Sequence, residues 1–261
     1  MNVISIQNNS RIQAEFVLRS PEIDGTDGSI SEFLRRVGEV APVIAPRQVH
    51  ACDIISVTDK NFAEYALPNV IDCDGIFLRT NRAVATLRFA DCAPVLVYPD
   101  ENFARDCNFA VLLHSGFKGT VLNISGKAVD EVLEFAGENA RENLNVWIGA
   151  SIAQENYPRD FDEWTQRALG NFSPENVRIS GGKYYFDIRN EIRNQFLRSG
   201  ILPGKIFVSD MDTFTDYRCY SYRRGDKRDR MILRVKLSCR TWTHSRITDV
   251  IRIAGATSST E

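Results

Sequence analysis

No stretch of this sequence is apolar for long enough to cross a bilayer: "APVLVY" and "FAVLL" fall far short of the roughly 20 residues a spanning helix needs. The start, "MNVISIQNNSRIQ", also lacks a charged segment leading into an apolar one, so no secretion signal and no membrane role are expected, and the chain is placed in the cytoplasm. An excess of one charge is missing too. Lys and Arg number 32 against 34 Asp and Glu, a net charge of −2, which excludes a protein that coats polyanions; no nucleic-acid partner is expected. The six cysteines, at 52, 73, 92, 107, 219 and 239, form no CxxC pair and keep no regular spacing. In a reducing compartment that reads as free thiols, with room for one metal ligand or nucleophile, rather than a disulfide framework. Internal repeats are absent, and histidine is scarce, with three in the whole chain.

What is present is an ordinary globular composition, 43% hydrophobic and 25% charged over 261 residues, enough to bury a full core. "RIQAEFVLRS" alternates as a strand, and "SISEFLRRVG" follows as a short helix with a serine at its start. A block of expected strands comes next: "VHACDIISV", "DGIFLRT", "AVATLRF", "APVLVYP" and "NFAVLLH", with short separators that suggest a partly antiparallel sheet. From Thr120 the period turns helical, with Val121, Ala128, Val129, Val132, Leu133 and Ala136 on one face. "NVWIGASI" reads as a strand, "RDFDEWTQRAL" as a helix, and "DIRNEIRNQFLRSGI" as another helix capped by Asp187. "KIFVSD" and "MILRVKL" close the pattern as strands. The expected fold is α+β: one domain of mixed β-sheets layered with helices over residues 1–237. Residues 238–261, which lose the periodic pattern, are expected to be a partly disordered C-terminal tail.

Three expected strand ends carry chemistry. "PRQVH" delivers His50, "FADCAPV" delivers Asp91 and Cys92, and "LLHSGFKG" delivers His114. Two histidines and a cysteine suit zinc, and three protein ligands leave the open position of a catalytic site. Each residue also has a plainer explanation: a histidine hydrogen-bonded at a strand end, or a cysteine packed as a small hydrophobe. After His114, Gly116 and Gly119 allow close backbone approach, Lys118 adds charge, and a helix start near Thr120 could hold an anion; a simple glycine turn explains the same residues. Further on, "CYSYRRGDKRDRM" gathers Arg223, Arg224, Lys227, Arg228 and Arg230 among aromatics, either as a phosphate clamp or as a solvated loop.

In order, "RQVH", "DCDG", "FADCAPVLV", "LLHSGFKG", "WIGASI" and "YSYRRGDKRDRM" resemble the motifs of the YfiH-like family. Its members are known as laccase-domain or polyphenol oxidase proteins and, later, as purine nucleoside phosphorylases. The resemblance implies an αββα-type fold related to cysteine-hydrolase-like toxin domains. It also implies a catalytic metal on His50, Cys92 and His114, normally zinc, with copper able to take its place. The activity implied is phosphorolysis of adenosine, inosine, guanosine or S-methyl-5′-thioadenosine, with adenosine deamination beside it, so a purine nucleoside and phosphate are the expected small-molecule partners. On this reading Cys92 and His114 are catalytic and Asp91 is a proton-transfer or ligand-supporting residue. Arg47, Lys118, Arg223 and Arg224 are the candidate phosphate contacts. A copper polyphenol oxidase is the first alternative, but a laccase needs about ten histidines for four coppers, as that family implies. A metal-free hydrolase or amidase with Cys92 as nucleophile, acting on a cell-wall precursor, is the second. Departures from the family are local. Ser115, Phe117 and Lys118 stand in a segment commonly H-A-G-W-R-G. Glu155 and Asn156 replace a frequent Cys-Cys pair, and Asp212-Thr213-Phe214-Thr215 replaces a frequent Cys-Thr-Tyr-Cys.

Overall fold

A computed structural model describes residues 1–105 and 107–238; the expected tail from 239 onward lies outside the described residues. In chain order the strands are β1 (Val3–Asn8), β2 (Ile12–Val17), β3 (Val43–Ile44), β4 (Ile54–Val57), β5 (Gly75–Leu78), β6 (Val84–Phe89) and β7 (Ala93–Pro99). They continue with β8 (Ala110–Ser115), β9 (Leu144–Ile148), β10 (Pro158–Arg159), β11 (Val177–Ser180), β12 (Lys183–Phe186), β13 (Ile206–Val208) and β14 (Met231–Leu237). The helices are α1 (Ile30–Val37), α2 (Phe62–Tyr65), α3 (Phe117–Val121), α4 (Ile124–Ala136), α5 (Glu163–Asn171) and α6 (Ile188–Arg198).

These strands build three sheets: a five-stranded sheet in the order β1-β2-β14-β6-β3, a six-stranded sheet in the order β13-β9-β7-β8-β5-β4, and a three-stranded sheet β10-β12-β11. Both larger sheets are mixed, with the parallel pairs β3·β6, β4·β5 and β9·β13 among antiparallel ones. The architecture is therefore the expected α+β layering of mixed sheets and helices. Side chains alternate across a strand, so β7 and β8 each serve two cores. Leu96 and Leu112 face the five-stranded sheet together with Phe16, Phe89 and Trp147, whose rings lie 5.7–5.9 Å from Phe16. Val95, Val97, Val111 and Leu113 face the other way, onto Val129 and Val132 of α4 and Ile192 and Phe196 of α6. Burial on both faces is why "APVLV" and "FAVLL" read as unbroken apolar runs.

Local signals explain the ends. Ser29 caps α1 by accepting the Glu32 amide at 3.2 Å, and Gly38 closes it in the left-handed region at φ 69. Asp187 caps α6 as expected, accepting the Asn190 amide at 3.0 Å. Two expectations need correction. The helix thought to begin near Thr120 is two helices: α3 starts at Phe117, and Asn123, in the left-handed region at φ 57, breaks the path and caps α4 by accepting the Gly126 amide. Asn tolerates that conformation because its side chain bonds locally. The strand expected across residues 49–57 begins only at Ile54, because His50 itself sits at φ 60 in a loop. Strand β1 and the three-stranded sheet were not anticipated.

Candidate metal centre

Cys92 enters the site from the turn that links the two sheets. Strand β6 ends at Phe89, Ala90 and Asp91 make the crossing with Asp91 at φ 84, and Cys92 leads into β7. The antiparallel register of β7 and β8 pairs Pro94 with His114 and Ala93 with Ser115, which brings Gly116 against Cys92. A Cβ at position 116 would stand 2.5 Å from the Cys92 Sγ and 3.7 Å from the His50 ring, so only glycine fits there without displacing a ligand. His50 arrives from the loop before β4, its ring centroid 4.9 Å from that of His114. The structure thus brings His50, Cys92 and His114 together, with their potential ligand atoms all within 4.8 Å of one another. This cluster can hold a metal ion.

The residue that organises the cluster is Asp74, just before β5. Its carboxylate is fully buried and accepts the His114 Nδ1–H at 2.8 Å. It also accepts the backbone N–H groups of Val49, His50 and Ala51 at 3.2, 3.0 and 2.7 Å. One side chain therefore orients one imidazole, turning its Nε2 to the cluster, and clamps the loop that carries the other. Burial would push the Asp74 carboxyl up, but the hydrogen bonds from His114 and these amides hold it below the usual carboxylate range. Burial likewise works against the Cys92 thiolate. The charge and hydrogen bonds of His114 and His50 outweigh it and bring the thiol down to about 6. Burial would lower His114 as well, yet Cys92 and Asp74 raise it to about 9. Near neutral pH the thiol has thus given up its proton while His114 keeps a second one, and ligation exchanges that proton for a metal ion.

The three residues line a cleft of about 890 Å³ whose other walls are rich in cationic and aromatic side chains, with Asp27 and Asp91 among them. Lys118 of α3 and Arg223, both expected as anion contacts, are on the lining. Lys118 lies 4.9 Å from the Trp164 ring centre, and the Arg223 guanidinium stacks 4.6 Å over Tyr157. The other two expected contacts are not brought to the cleft. Arg47 is spent on a bidentate pair with Asp72 at 2.6 and 2.7 Å, away from the lining. Arg224 turns inward, donating to the Thr213 and Phe214 carbonyls at 2.9 and 3.0 Å and to Asp226 at 2.8 Å. It ties its own loop together.

Asp91 lines the cleft beside Cys92. Its carboxylate accepts the Thr213 hydroxyl at 2.7 Å and the Arg223 amide at 2.8 Å, and its carbonyl accepts the Ile152 amide at 3.0 Å. Asp91 ties the Cys92 turn to the loop that carries Arg223, while Asp74 supports the ligands. Lys227, Arg228 and Arg230 of the expected arginine-rich segment line the cleft, and Arg88, Arg159, Phe117 and Tyr157 join them without having been foreseen. Arg159 lies 3.9 Å over the Phe117 ring, a contact whose only trace in sequence was the aromatic beside Lys118. The two segments that replace the family's cysteines meet in space. Asp212 accepts the Asn156 amide group at 2.7 Å, the Thr215 hydroxyl at 2.8 Å and the backbone N–H groups of Ala153 and Phe214 at 2.9 and 3.1 Å.

A fold and a donor set of this kind define a family. The chain belongs to the multi-copper polyphenol oxidoreductase laccase family, whose model matches residues 29–238. Among curated relatives it is 25% identical over 223 residues to purine nucleoside phosphorylase RP494 of Rickettsia prowazekii, covering 83% of this chain and 84% of that one. It is 27% identical over 187 residues to purine nucleoside phosphorylase YlmD of Geobacillus stearothermophilus, covering 69% and 66%. Among solved structures the fold matches Bacillus licheniformis hypothetical protein YfiH with a TM-score of 0.76 at 22% identity, over 90% of this chain and 96% of that one. YlmD from Geobacillus stearothermophilus matches with a TM-score of 0.72 at 21% identity, over 91% and 100%. Among the described residues no helix is long and apolar enough to cross a membrane.

Proposed function

We propose that the protein is a zinc-dependent purine nucleoside phosphorylase acting on adenosine, inosine, guanosine or S-methyl-5′-thioadenosine, with adenosine deamination as a second activity. The observation that carries this reading is the convergence of two imidazoles and a thiol, ligand atoms within 4.8 Å, in a cleft with cationic and aromatic walls. The donors fit zinc: imidazole nitrogen and thiolate are its habitual ligands, and Asp74 already fixes the tautomer of His114. When bound there, the ion would supply a Lewis acid that polarises an oxygen of the ligand. The remaining work falls to the chain. Phosphorolysis joins a phosphate oxygen to the ribose C1′ as the bond from C1′ to the purine nitrogen breaks. An anionic nucleophile must therefore be held beside a carbon gaining positive character. Lys118 and Arg223 are suited to hold it, since neither has a carboxylate partner among the described residues. The guanidiniums of Arg159 and Arg223, stacked on Phe117 and Tyr157, offer flat surface for a purine.

A metal-free reading is favoured by one observation. Asp74, His114 and Cys92 form a carboxylate–imidazole–thiol series with the thiol brought down to about 6, an arrangement that suits a cysteine hydrolase or amidase acting on a cell-wall precursor. Metal content separates the two. Protein purified without added metal is expected to carry about one zinc per chain by mass spectrometry. Cys92→Ala is expected to lose both the zinc and phosphate-dependent nucleoside turnover. Full turnover in that variant would sink the zinc reading, and the absence of metal from wild type, with turnover of an amide substrate, would replace it with the hydrolase.

A further inference from the structure

The cleft carries more positive charge than one phosphate requires. Some of it is neutralised: Arg228 pairs with Asp27 at 2.5 Å and Arg159 with Asp162 at 2.9 Å. Arg88 and Arg230 are different, since among the described residues neither has a carboxylate within ion-pair distance, and both line the cleft. They are neighbours through the sheet. The register of β6 and β14 pairs Phe89 with Met231 and Arg88 with Ile232, so Arg230, which immediately precedes β14, reaches the same sheet end as Arg88. That end leads, through Ala90 and Asp91, into Cys92.

Both guanidiniums are held in place by neutral groups alone. Arg88 gives Nη1 to the Gly28 carbonyl at 3.1 Å. Arg230 gives Nη1 to the Asp229 carbonyl at 2.7 Å and Nη2 to the Lys227 carbonyl at 3.0 Å. Gly28, at φ 72, packs against this segment: a Cβ there would stand 3.1 Å from the Arg228 carbonyl oxygen and, at contact distance, 3.4 Å from the Arg230 Cγ. Burial and the charge of Arg230 together pull the Arg88 guanidinium below its ordinary value. Two half-buried like charges fixed side by side raise the free energy of the empty cleft, and an anion between them removes that cost. Fixed forks of N–H donors are also the geometry that recognises phosphate oxygens.

We propose that Arg88 and Arg230 form a second oxyanion subsite, distinct from Lys118 and Arg223, which takes a phosphate dianion. Its source is either the 5′-phosphate of a purine nucleoside monophosphate or inorganic phosphate. Only the first source rests on the nucleoside reading above; the subsite itself does not. With a nucleotide bound, the base and ribose lie towards the triad and the phosphoryl group lies at the end of β6 and β14.

Calorimetric titration of the full-length protein as purified tests this with three probes: adenosine, adenosine 5′-monophosphate and sodium phosphate. If the nucleotide is the source, wild type binds adenosine 5′-monophosphate about ten- to a hundredfold more tightly than adenosine, and Arg88→Gln or Arg230→Gln abolishes that margin. If free phosphate is the source, the nucleotide has no margin, and either substitution weakens sodium phosphate binding by about tenfold or more. Failure of adenosine to bind, with phosphate binding still dependent on Arg88, would remove the nucleoside reading and keep the subsite. Nucleotide and phosphate affinities that ignore both substitutions would overturn it. Should a variant not fold, Arg88→Lys and Arg230→Lys take its place, since each keeps the charge and removes the fork of donors. Nucleotide or phosphate affinity must still fall in them while adenosine is unchanged; affinities equal to wild type in both overturn the subsite.

Discussion

Two polar clusters are tied to the turn between the sheets, and they are built on opposite principles. Around His50, Cys92 and His114 one buried carboxylate satisfies the scaffold, three amides and one ring N–H, and leaves a thiol and imidazole nitrogens facing the cleft. Around Asp212 the carboxylate also gathers two amides and two side chains, but its partners Asn156 and Thr215 end the network there. The first cluster is closed at its back and open at its front; the second is closed throughout. Capacity to bind a ligand therefore comes less from the number of polar groups than from which of them the scaffold leaves unused. The second cluster connects its two loops through oxygen and nitrogen groups alone.

The sharpest way to break the contrast is Asp74→Ala. It leaves three part-buried amides and the buried His114 ring without an acceptor, so metal affinity is expected to fall about 10- to 100-fold, and stability by about 3 kcal/mol, read by metal competition and by denaturant unfolding. Retention of wild-type affinity would show that the triad organises itself. The second test compares thiols within one molecule. In metal-free protein, peptide mapping after alkylation should find Cys92 modified at a rate that is half-maximal near pH 6 and rises with pH, because the imidazoles stabilise its thiolate. Cys73 and Cys219, both pushed up to about 12, burial being the main cause, should stay unmodified. Added zinc should protect Cys92, and labelling indifferent to zinc would remove Cys92 from the ligand set. The smallest effect is expected at the closed cluster. Asp212→Ala should cost about 1–3 kcal/mol, a drop of a few degrees in Tm, while zinc stays bound. Loss of zinc in that variant would mean the two clusters are not independent.

Much of the layering was legible because burial on both faces writes itself into β7 and β8 as unbroken apolar runs, and because Ser29 and Asp187 announce helix starts. The triad was legible through its motifs. Asp74 was not, although "DCDG" contains it: its partners are backbone amides of a loop that sequence renders as an ordinary strand. The arginines show the same gap. Arg47 and Lys118 look alike as positive charges near a motif, but only one has an aspartate waiting beside it. Whether a cation is free for a ligand depends on the nearest carboxylate in space, and Asp72 lies 25 residues from Arg47 along the chain.

The spacing of the triad has one more consequence, for the unfolded chain. His50, Cys92 and His114 come from three separate segments, the loop before β4, the turn before β7 and the end of β8, and an ion held by all three would cross-link them as a pair of disulfides would. Such a link removes loop-closure freedom from the denatured ensemble, by about 3 kcal/mol or more for spans of a few tens of residues in the simplest chain model. A centre placed for chemistry would then also act as a staple, strengthening the fold at the seam where its two hydrophobic cores meet.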